Sequence, residues 1–207
     1  MEPNDLNWTR DYNSEIIVYD PTKYSEELYY SKIMSSKSDG EFTFQFKTKF
    51  SFKKEDNKCK LNIDEEHISK MSDISNFVIE NTANNSESWF GKKIEFEKCK
   101  DIYKDALVGN TLHCFYDTDT LFYKNKGEVI DISEMKKMSD IHGICLLKCN
   151  YVIYTKTLFF IRWEISQFKL KNINRDTNLY IMRENPEDTF QEELPKNFLN
   201  IEQLQLF

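Results

Sequence analysis

The chain has 207 residues, enough for one substantial domain and short for two. It is 40% hydrophobic, 14% aromatic and 30% charged, a composition that excludes wholesale disorder. The net charge of −7 is concentrated at the ends: residues 1–31 hold two basic and seven acidic side chains, and residues 173–207 hold three and seven. The central residues 32–172 carry +2 and are therefore compatible with a polyanionic partner.

Three further features bear on location. No apolar run reaches the roughly 18–20 residues that a membrane span needs. The first five residues are polar and acidic, unlike those of a secretory signal peptide. Five irregularly spaced cysteines predict reduced thiols. We therefore expect an intracellular protein in a reducing compartment, with no membrane partner.

The first third of the chain predicts an arm followed by two strands. Residues 1–35 are acidic, tyrosine-rich and weakly periodic, which predicts an N-terminal arm that is extended or forms a short helix around Ser25–Met34. After a turn at Asp39-Gly40, phenylalanines alternate with polar residues over Phe42–Phe52, as in a long strand with one apolar face. A polar turn then leads to a second strand that begins at Cys59.

The middle of the chain changes to helical spacing. Asp64, Glu65 and Glu66 provide the acidic first turn typical of a helix N-terminus. Apolar residues follow at helical spacing, and the polar stretch Asn81–Ser88 is predicted to end the helix. A shorter helical pattern follows Trp89-Phe90-Gly91; its apolar positions are Phe96, Cys99, Ile102 and Tyr103.

The remainder reads as a strand meander closed by a long hairpin. The predicted strands are Leu112–Tyr116, Thr120–Tyr123, Glu128–Ile130, Gly143–Tyr154 and Leu158–Leu170, with a polar connector at Ile132–Ser139. We predict a mainly β fold with one or two helices, an OB-like β-barrel over residues 36–172, followed by an acidic C-terminal tail over 173–207 that ends in an aromatic residue.

The sequence gives little support for a metal site or for a cofactor. The three histidines are far apart, and Cys145 and Cys149 lack the two-residue spacing of zinc ligands. These two cysteines share one face of a predicted strand, as core thiols do. We predict no metal and no cofactor.

Signals for catalysis are also weak. His113 and Cys114 are neighbours on a predicted strand and point to opposite faces, so they cannot form a nucleophile and base pair. Asp117 and Asp119 could hold a cation for phosphoryl chemistry, or they could be the Asx-turn residues of a connection between strands. We predict that the protein is not an enzyme.

Cationic and aromatic residues alternate on the long strands, as single-stranded nucleic-acid binders require, because cations follow phosphates and exposed rings stack on bases. The predicted nucleic-acid-binding residues are Lys47, Lys49, Lys53, Tyr154, Lys156, Phe160, Arg162, Phe168 and Lys169. By parity Trp163 belongs to the core. The alternative is a solvated lysine face with the aromatic residues in a second small core.

The tail allows two interpretations. Its carboxylates can compete with DNA for a basic groove while its end, Phe207, docks partners. Alternatively, Leu199–Phe207 forms an amphipathic helix that packs on the domain.

Several short motifs in this order resemble a known family. They are Trp89-Phe90-Gly91-Lys92, Tyr116-Asp117, and a closing strand with Phe159, Trp163, Ile165, Gln167 and Lys169. The chain resembles the OB-fold single-stranded-DNA-binding proteins of nucleocytoplasmic large DNA viruses, relatives of the short-tailed phage binders. The resemblance covers roughly Gly40–Lys171 and the tail; residues 1–35 have no counterpart, and Phe160 replaces a common glycine.

The resemblance implies a viral protein that coats single-stranded DNA in replication, recombination or repair without strong sequence preference. It also implies replication proteins as partners through the tail, and a location in the host cytoplasm or at the viral replication site. A homo-oligomer is left open. The alternative function is a virion or protein–protein interaction module whose exposed aromatic residues form an oligomer interface. A third is a nucleotide-processing enzyme built on Asp117 and Asp119.

Overall fold

The computed structural model describes residues 16–35, 42–52, 57–124, 128–138 and 141–171. The strands in these ranges are β1 (Ile16–Val18), β2 (Thr22–Ser25), β3 (Leu28–Ser35), β4 (Thr43–Phe52), β5 (Lys58–Asn62), β6 (Leu107–Val108), β7 (Thr111–Phe115), β8 (Leu121–Tyr123), β9 (Ile141–Thr155) and β10 (Phe159–Leu170). The helices are α1 (Glu65–Phe90), α2 (Phe96–Ile102) and α3 (Ile132–Met135). The prediction of a mainly β fold is confirmed.

Five of the strands pair in a closed ring. Strand β9 lies beside β4 and β10, β4 pairs with β5, β5 with β7, and β7 with β10. All of these pairings are antiparallel except the last, in which Phe115 of β7 is in parallel register with Glu164 of β10. Strands β1, β2 and β3 extend the sheet beyond β9, and β8 extends it beyond β10.

The core lies inside this ring and beneath α1. The phenylalanines of β4 alternate as predicted: Phe44, Phe46 and Phe50 are buried, whereas Lys47 and Lys49 are exposed. The two cysteines Cys145 and Cys149 are buried in the same core, together with Trp163, as their spacing predicts.

Helix α1 is longer than predicted. It begins at the N-cap Asp64, whose carboxylate accepts a hydrogen bond from the backbone N–H of His67 (3.0 Å), and it ends at Gly91, which has a left-handed φ of 68°. The predicted end at Asn81–Ser88 is wrong. Thr82 and Ser86 lie on the buried face of the helix, so packing against the sheet overrides the weak helix propensity of this stretch.

The N-terminal segment also differs from its prediction. A short helix around Ser25–Met34 is wrong, because Ser25 ends β2 and Leu28–Ser35 form β3, which pairs antiparallel with the second half of β9. Two smaller differences follow later in the chain. The connector Ile132–Ser139 contains α3, and the stretch Glu128–Ile130 makes only an isolated bridge, between Tyr123 and Val129.

Two register shifts in the β9–β10 pairing change which side chains face the core. One lies between Arg162 and Trp163, and the other between Ile165 and Gln167. A β-bulge adds one residue to a strand and therefore reverses the alternation beyond it.

The predicted tail over 173–207 and its docking residue Phe207 lie outside the described residues, as does Lys53. None of the helices in the described ranges is both long enough and apolar enough to cross a membrane.

Candidate nucleic-acid interface

The five strands of the ring carry a charge opposite to that of the whole chain. Only one acidic side chain, Glu164, lies on them, and there are seven basic ones: Lys47, Lys49, Lys58, Lys60, Lys148, Arg162 and Lys169. The ring strands therefore sum to +6 in a protein of net charge −7. Because the ring interior is apolar, this charge has to lie on the outer surface of the ring or at its ends.

Strand register brings three of the predicted cations together. Lys47 of β4 and Lys169 of β10 both lie opposite Ile144 of β9, one on each side. Adjacent strands are about 4.8 Å apart, so the two lysines are about 10 Å apart across the sheet. Lys49 lies opposite His142, two residues along the same face from Lys47. These three lysines define a basic strip on the outer face of β4, β9 and β10.

Arg162 lies on the same outer face, but it is only 8% exposed. Its guanidinium carbon is 4.4 Å from the centroid of the Phe115 ring, and Nη2 donates a hydrogen bond to Glu164 (3.0 Å). The Nζ atom of Lys58 is 5.9 Å from the centroid of the same ring. The sheet thus holds Arg162 in a pre-formed cation–π and ion-pair arrangement on its outer surface.

Two of the predicted stacking residues face the core. Tyr154 is 5% exposed and Phe168 is not exposed. The prediction that these rings lie on an exposed face is wrong, because the bulges reverse the alternation before each residue. The phenol of Tyr154 hydrogen-bonds to Thr82 of α1 (3.1 Å), and burial raises the pKa of Tyr154 to about 12.

Phe160 faces outward, as predicted, but it is only 1% exposed. It belongs to a small outer cluster with Leu28 of β3 and Ile153 of β9. The sequence left open that aromatic residues of this face form a second small core, and the side chain of Phe160 does so. Its predicted exposure is wrong, because β3, which was expected to be an arm, packs beside it.

Lys156 is exposed at the tight turn between β9 and β10, at the end of the sheet away from the basic strip. Its Nζ lies 2.6 Å from a carboxylate oxygen of Glu27, which follows β2. The hydrogen bond and charge of Lys156 lower the pKa of Glu27. The structure therefore places this predicted binding residue apart from the other cations.

The predicted binding residues did not include five residues of this face: Lys58, Phe115, Lys148, Tyr151 and Glu164. Lys58 lies opposite Phe115, Glu164 lies opposite Lys148, and Arg162 lies opposite Tyr151. The alternation of each strand gives the outward direction of these side chains, but only the register between strands shows that they meet.

The other candidate sites take ordinary structural roles. The Asp117 carboxylate accepts a hydrogen bond from the backbone N–H of Asp119 (2.9 Å), which is the Asx turn that the sequence offered as one alternative. The five cysteines are buried and form no disulfide, and the sulfurs of Cys59 and Cys114 are 3.3 Å apart across β5 and β7. Within the described ranges, no three metal-ligating side chains converge.

Solved structures similar to the chain include the following two. Both are of the single-stranded DNA-binding protein from bacteriophage Enc34, one in complex with single-stranded DNA. The complex has 11% sequence identity and a TM-score of 0.43, covering 77% of this chain and 98% of that one. The other structure has 10% identity and a TM-score of 0.43, covering 78% and 93%.

No curated protein matches the sequence. One family model does, and it covers residues 49–183, which include β5 to β10, all three helices and most of the basic residues of the ring. The chain belongs to this family, a family of unknown function (DUF5871).

Proposed function

We propose that the protein binds single-stranded DNA on the outer face of β4, β9 and β10. The observation that carries the proposal is the charge of the ring strands, seven basic side chains against one acidic in a chain of net charge −7. Positive charges collected on one sheet repel one another and destabilise the fold, but together they attract a polyanion.

The ring supports this assignment through its architecture. The closed ring of five strands, with one parallel and four antiparallel pairings, supports an OB-fold barrel as the architecture of this region. OB-folds bind oligonucleotides on the outer face of the barrel and with the loops between strands. The second and third strands of the ring, whose face OB-folds use, are β5 and β7; they carry Lys58, Lys60 and the Phe115 ring that Arg162 contacts. The basic strip begins on β4, which pairs with β5.

The geometry favours phosphate contacts over base stacking. Tyr154, Phe160 and Phe168 are buried, and the rings that lie opposite the cations on neighbouring strands are only half-buried: Tyr123 opposite Lys169, and Tyr151 opposite Arg162. Contacts to phosphates do not distinguish one base from another. Binding is therefore expected to be weakly dependent on base sequence and strongly dependent on salt.

The proposal extends to a role in viral DNA replication, recombination or repair inside a cell, and to an acidic tail that recruits replication proteins. The resemblance described above is the support for these finer parts. One binding experiment distinguishes this function from that of an interaction module and from that of a nucleotide-processing enzyme.

The test is the fluorescence anisotropy of a labelled oligo-dT of about 30 nucleotides, titrated with the full chain at several salt concentrations. The expected result is binding that weakens steeply with salt and is poorly competed by duplex DNA. An interaction module would give no binding at low salt. A nucleotide-processing enzyme would turn over nucleotide with magnesium or manganese and would lose this activity in Asp117→Asn.

A double variant, Lys47→Gln with Lys169→Gln, maps the face. Each phosphate contact contributes about 0.7 to the slope of log K against log salt for single strands, so the double variant should flatten the slope by about 1.4. The matched control is Lys100→Gln on α2, outside the ring, which should leave the slope unchanged. Equal slopes for the double variant and the wild type would exclude this strip as the binding face.

Arg162 is unsuitable for such mapping. A glutamate there would lie beside Glu164 in a site that excludes most water, and the fold would be destabilised together with any binding.

A further inference from the structure

A cavity of about 420 Å³ lies at one end of the ring, away from the basic strip. It is enclosed by the last turns of α1, the turn between β2 and β3, and the hairpin turn between β9 and β10. Its floor is formed by Tyr154 and Phe159, which point to the inner side of the hairpin, whereas Phe160 points to the outer side. The cavity is therefore separate from the proposed DNA-binding face.

The walls are aromatic rings that stand at steep angles to one another. The ring of Trp89 makes an interplanar angle of 82° with Phe90 and 68° with Tyr154, at centroid distances of 6.2 and 6.4 Å. Tyr29 meets Phe90 at 85° and 6.3 Å. Rings arranged in this way present edges as well as faces. The two nearly parallel rings of the lining, Tyr154 and Phe159 (21°), have centroids only 5.4 Å apart, too close to take a planar base between them.

Trp89 is held in place by a hydrogen bond. Its indole Nε1 donates to a carboxylate oxygen of Asp20 at 2.7 Å, which fixes the side chain at the end of α1. The wall residues Tyr29, Trp89 and Phe90 are half-buried, and the floor is buried. The site is thus a funnel with an open mouth, into which a side chain can enter while its backbone stays outside.

The rim is acidic. Glu26 and Glu27 stand at the mouth and are exposed, and Lys156 is the one basic residue that lines the cavity. Lys156 is already paired with Glu27, which leaves Glu26 as the uncompensated charge of the lining. A phosphate would be repelled from this rim, whereas a cation would be attracted to it.

We propose that this cavity binds a cationic side chain, arginine or lysine, of a partner protein. Aromatic rings set at steep angles bind cations through the negative potential of their faces, and carboxylates at the rim add to the attraction. The open funnel fits a side chain that is presented by a polypeptide. This proposal does not depend on the proposed DNA binding.

The test follows the indole N–H signal of Trp89 in ¹⁵N–¹H correlation spectra of the full chain. The chain has three tryptophans, so Trp89→Phe identifies the signal by its loss. The probe is N-acetyl-arginine amide, and the matched neutral probe is N-acetyl-citrulline amide, both at constant ionic strength. A saturable shift with a dissociation constant of order 1–10 mM is expected for the arginine probe only.

Two variants test whether a carboxylate at the rim of the cavity contributes to binding. Glu26→Gln should weaken binding of the arginine probe about three-fold, because one rim carboxylate is removed. Glu65→Gln, at the other end of the 26-residue helix α1 and about 36 Å away, should leave binding unchanged.

Three results would overturn the proposal. One is an equal shift with the citrulline probe, which would make the cavity a neutral pocket. Another is no shift with arginine up to about 50 mM. The third is competition between oligo-dT and the arginine probe for the Trp89 signal, which would assign the cavity to the DNA site.

Discussion

Replacing Gly143 by alanine tests how tightly β9 and β10 close the ring. A Cβ atom at this position would meet the backbone carbonyl oxygen of Lys169 and would lie 2.6 Å from Cε1 of Phe168. The Phe168 ring cannot move easily, because it is fully buried and packs against Phe50 at a centroid distance of 5.0 Å. The carbonyl is part of the β9–β10 ladder.

The cost can be worked out from these contacts. An ordinary carbon contact is about 3.5–4.0 Å, so the ring would have to move by roughly 1 Å. Overpacking of this kind costs about 1–3 kcal/mol, and weakening one ladder hydrogen bond adds about 1 kcal/mol. We expect Gly143→Ala to lower the free energy of unfolding by about 2–4 kcal/mol, which for a chain of this size lowers Tm by roughly 4–16 °C.

The assay is urea unfolding followed by circular dichroism, with Gly91→Ala as the matched control. Gly91 has a φ of 68°, and no atom lies within 4 Å of the added Cβ, so that substitution carries only the backbone cost of about 1–2 kcal/mol. A loss of unfolding free energy in Gly143→Ala no larger than that in Gly91→Ala would show that the strands can make room for the added Cβ.

Three further predictions concern stability. Burial raises the pKa of Tyr154 to about 12, so the folded state retains a proton that the unfolded chain loses above about pH 10. The free energy of unfolding, measured by urea titrations at each pH, should therefore fall as the pH rises from about 10 to about 12. The fall should be smaller in Tyr154→Phe, which has no phenol to titrate. Asp64→Ala removes the N-cap of α1 and should cost about 1 kcal/mol in thermal unfolding, whereas Asp64→Ser should retain most of the stability. Ser86→Ala leaves the backbone N–H of Ile94 without its acceptor (2.8 Å) and should cost about 1–3 kcal/mol in urea, an expectation that an unchanged midpoint would contradict.

The sequence predicted the strands that alternate regularly. In β4 a long period-2 pattern gave both the element and its buried face, and the same reasoning placed Trp163 in the core. These elements were predictable because one face is apolar and the other is polar, so parity alone determines burial.

Parity did not predict the faces of the closing hairpin. Phe168 and Tyr154 lie beyond bulges, which no local pattern of apolar residues reveals when both faces of a strand are apolar. Phe160 was predicted to be exposed because β3 could not be recognised; its partner, the second half of β9, lies more than 100 residues later.

The residues of the candidate site also fall into those that the alternation of a strand predicts and those that it does not. The outward direction of Lys47 and Lys49 follows from the alternation of β4. Lys169 joins them on the same face only because the bulge between Ile165 and Gln167 reverses the alternation of β10. The contact of Arg162 with Phe115 could not be predicted, because it depends on the parallel pairing of β7 with β10. The ion pair of Arg162 with Glu164 joins two residues on the same face of β10 and needs no such pairing.

The position of β9 has a consequence for synthesis on the ribosome. Leu28 of β3 pairs with Thr155, 127 residues later, and Phe44 of β4 pairs with Leu147. At about 5–20 residues per second, both early strands are translated on the order of 10 s before the strand that joins them. During that time their apolar faces and unpaired backbone edges need protection from other nascent chains, so we expect yield in cells to depend on chaperones that hold unfolded chains.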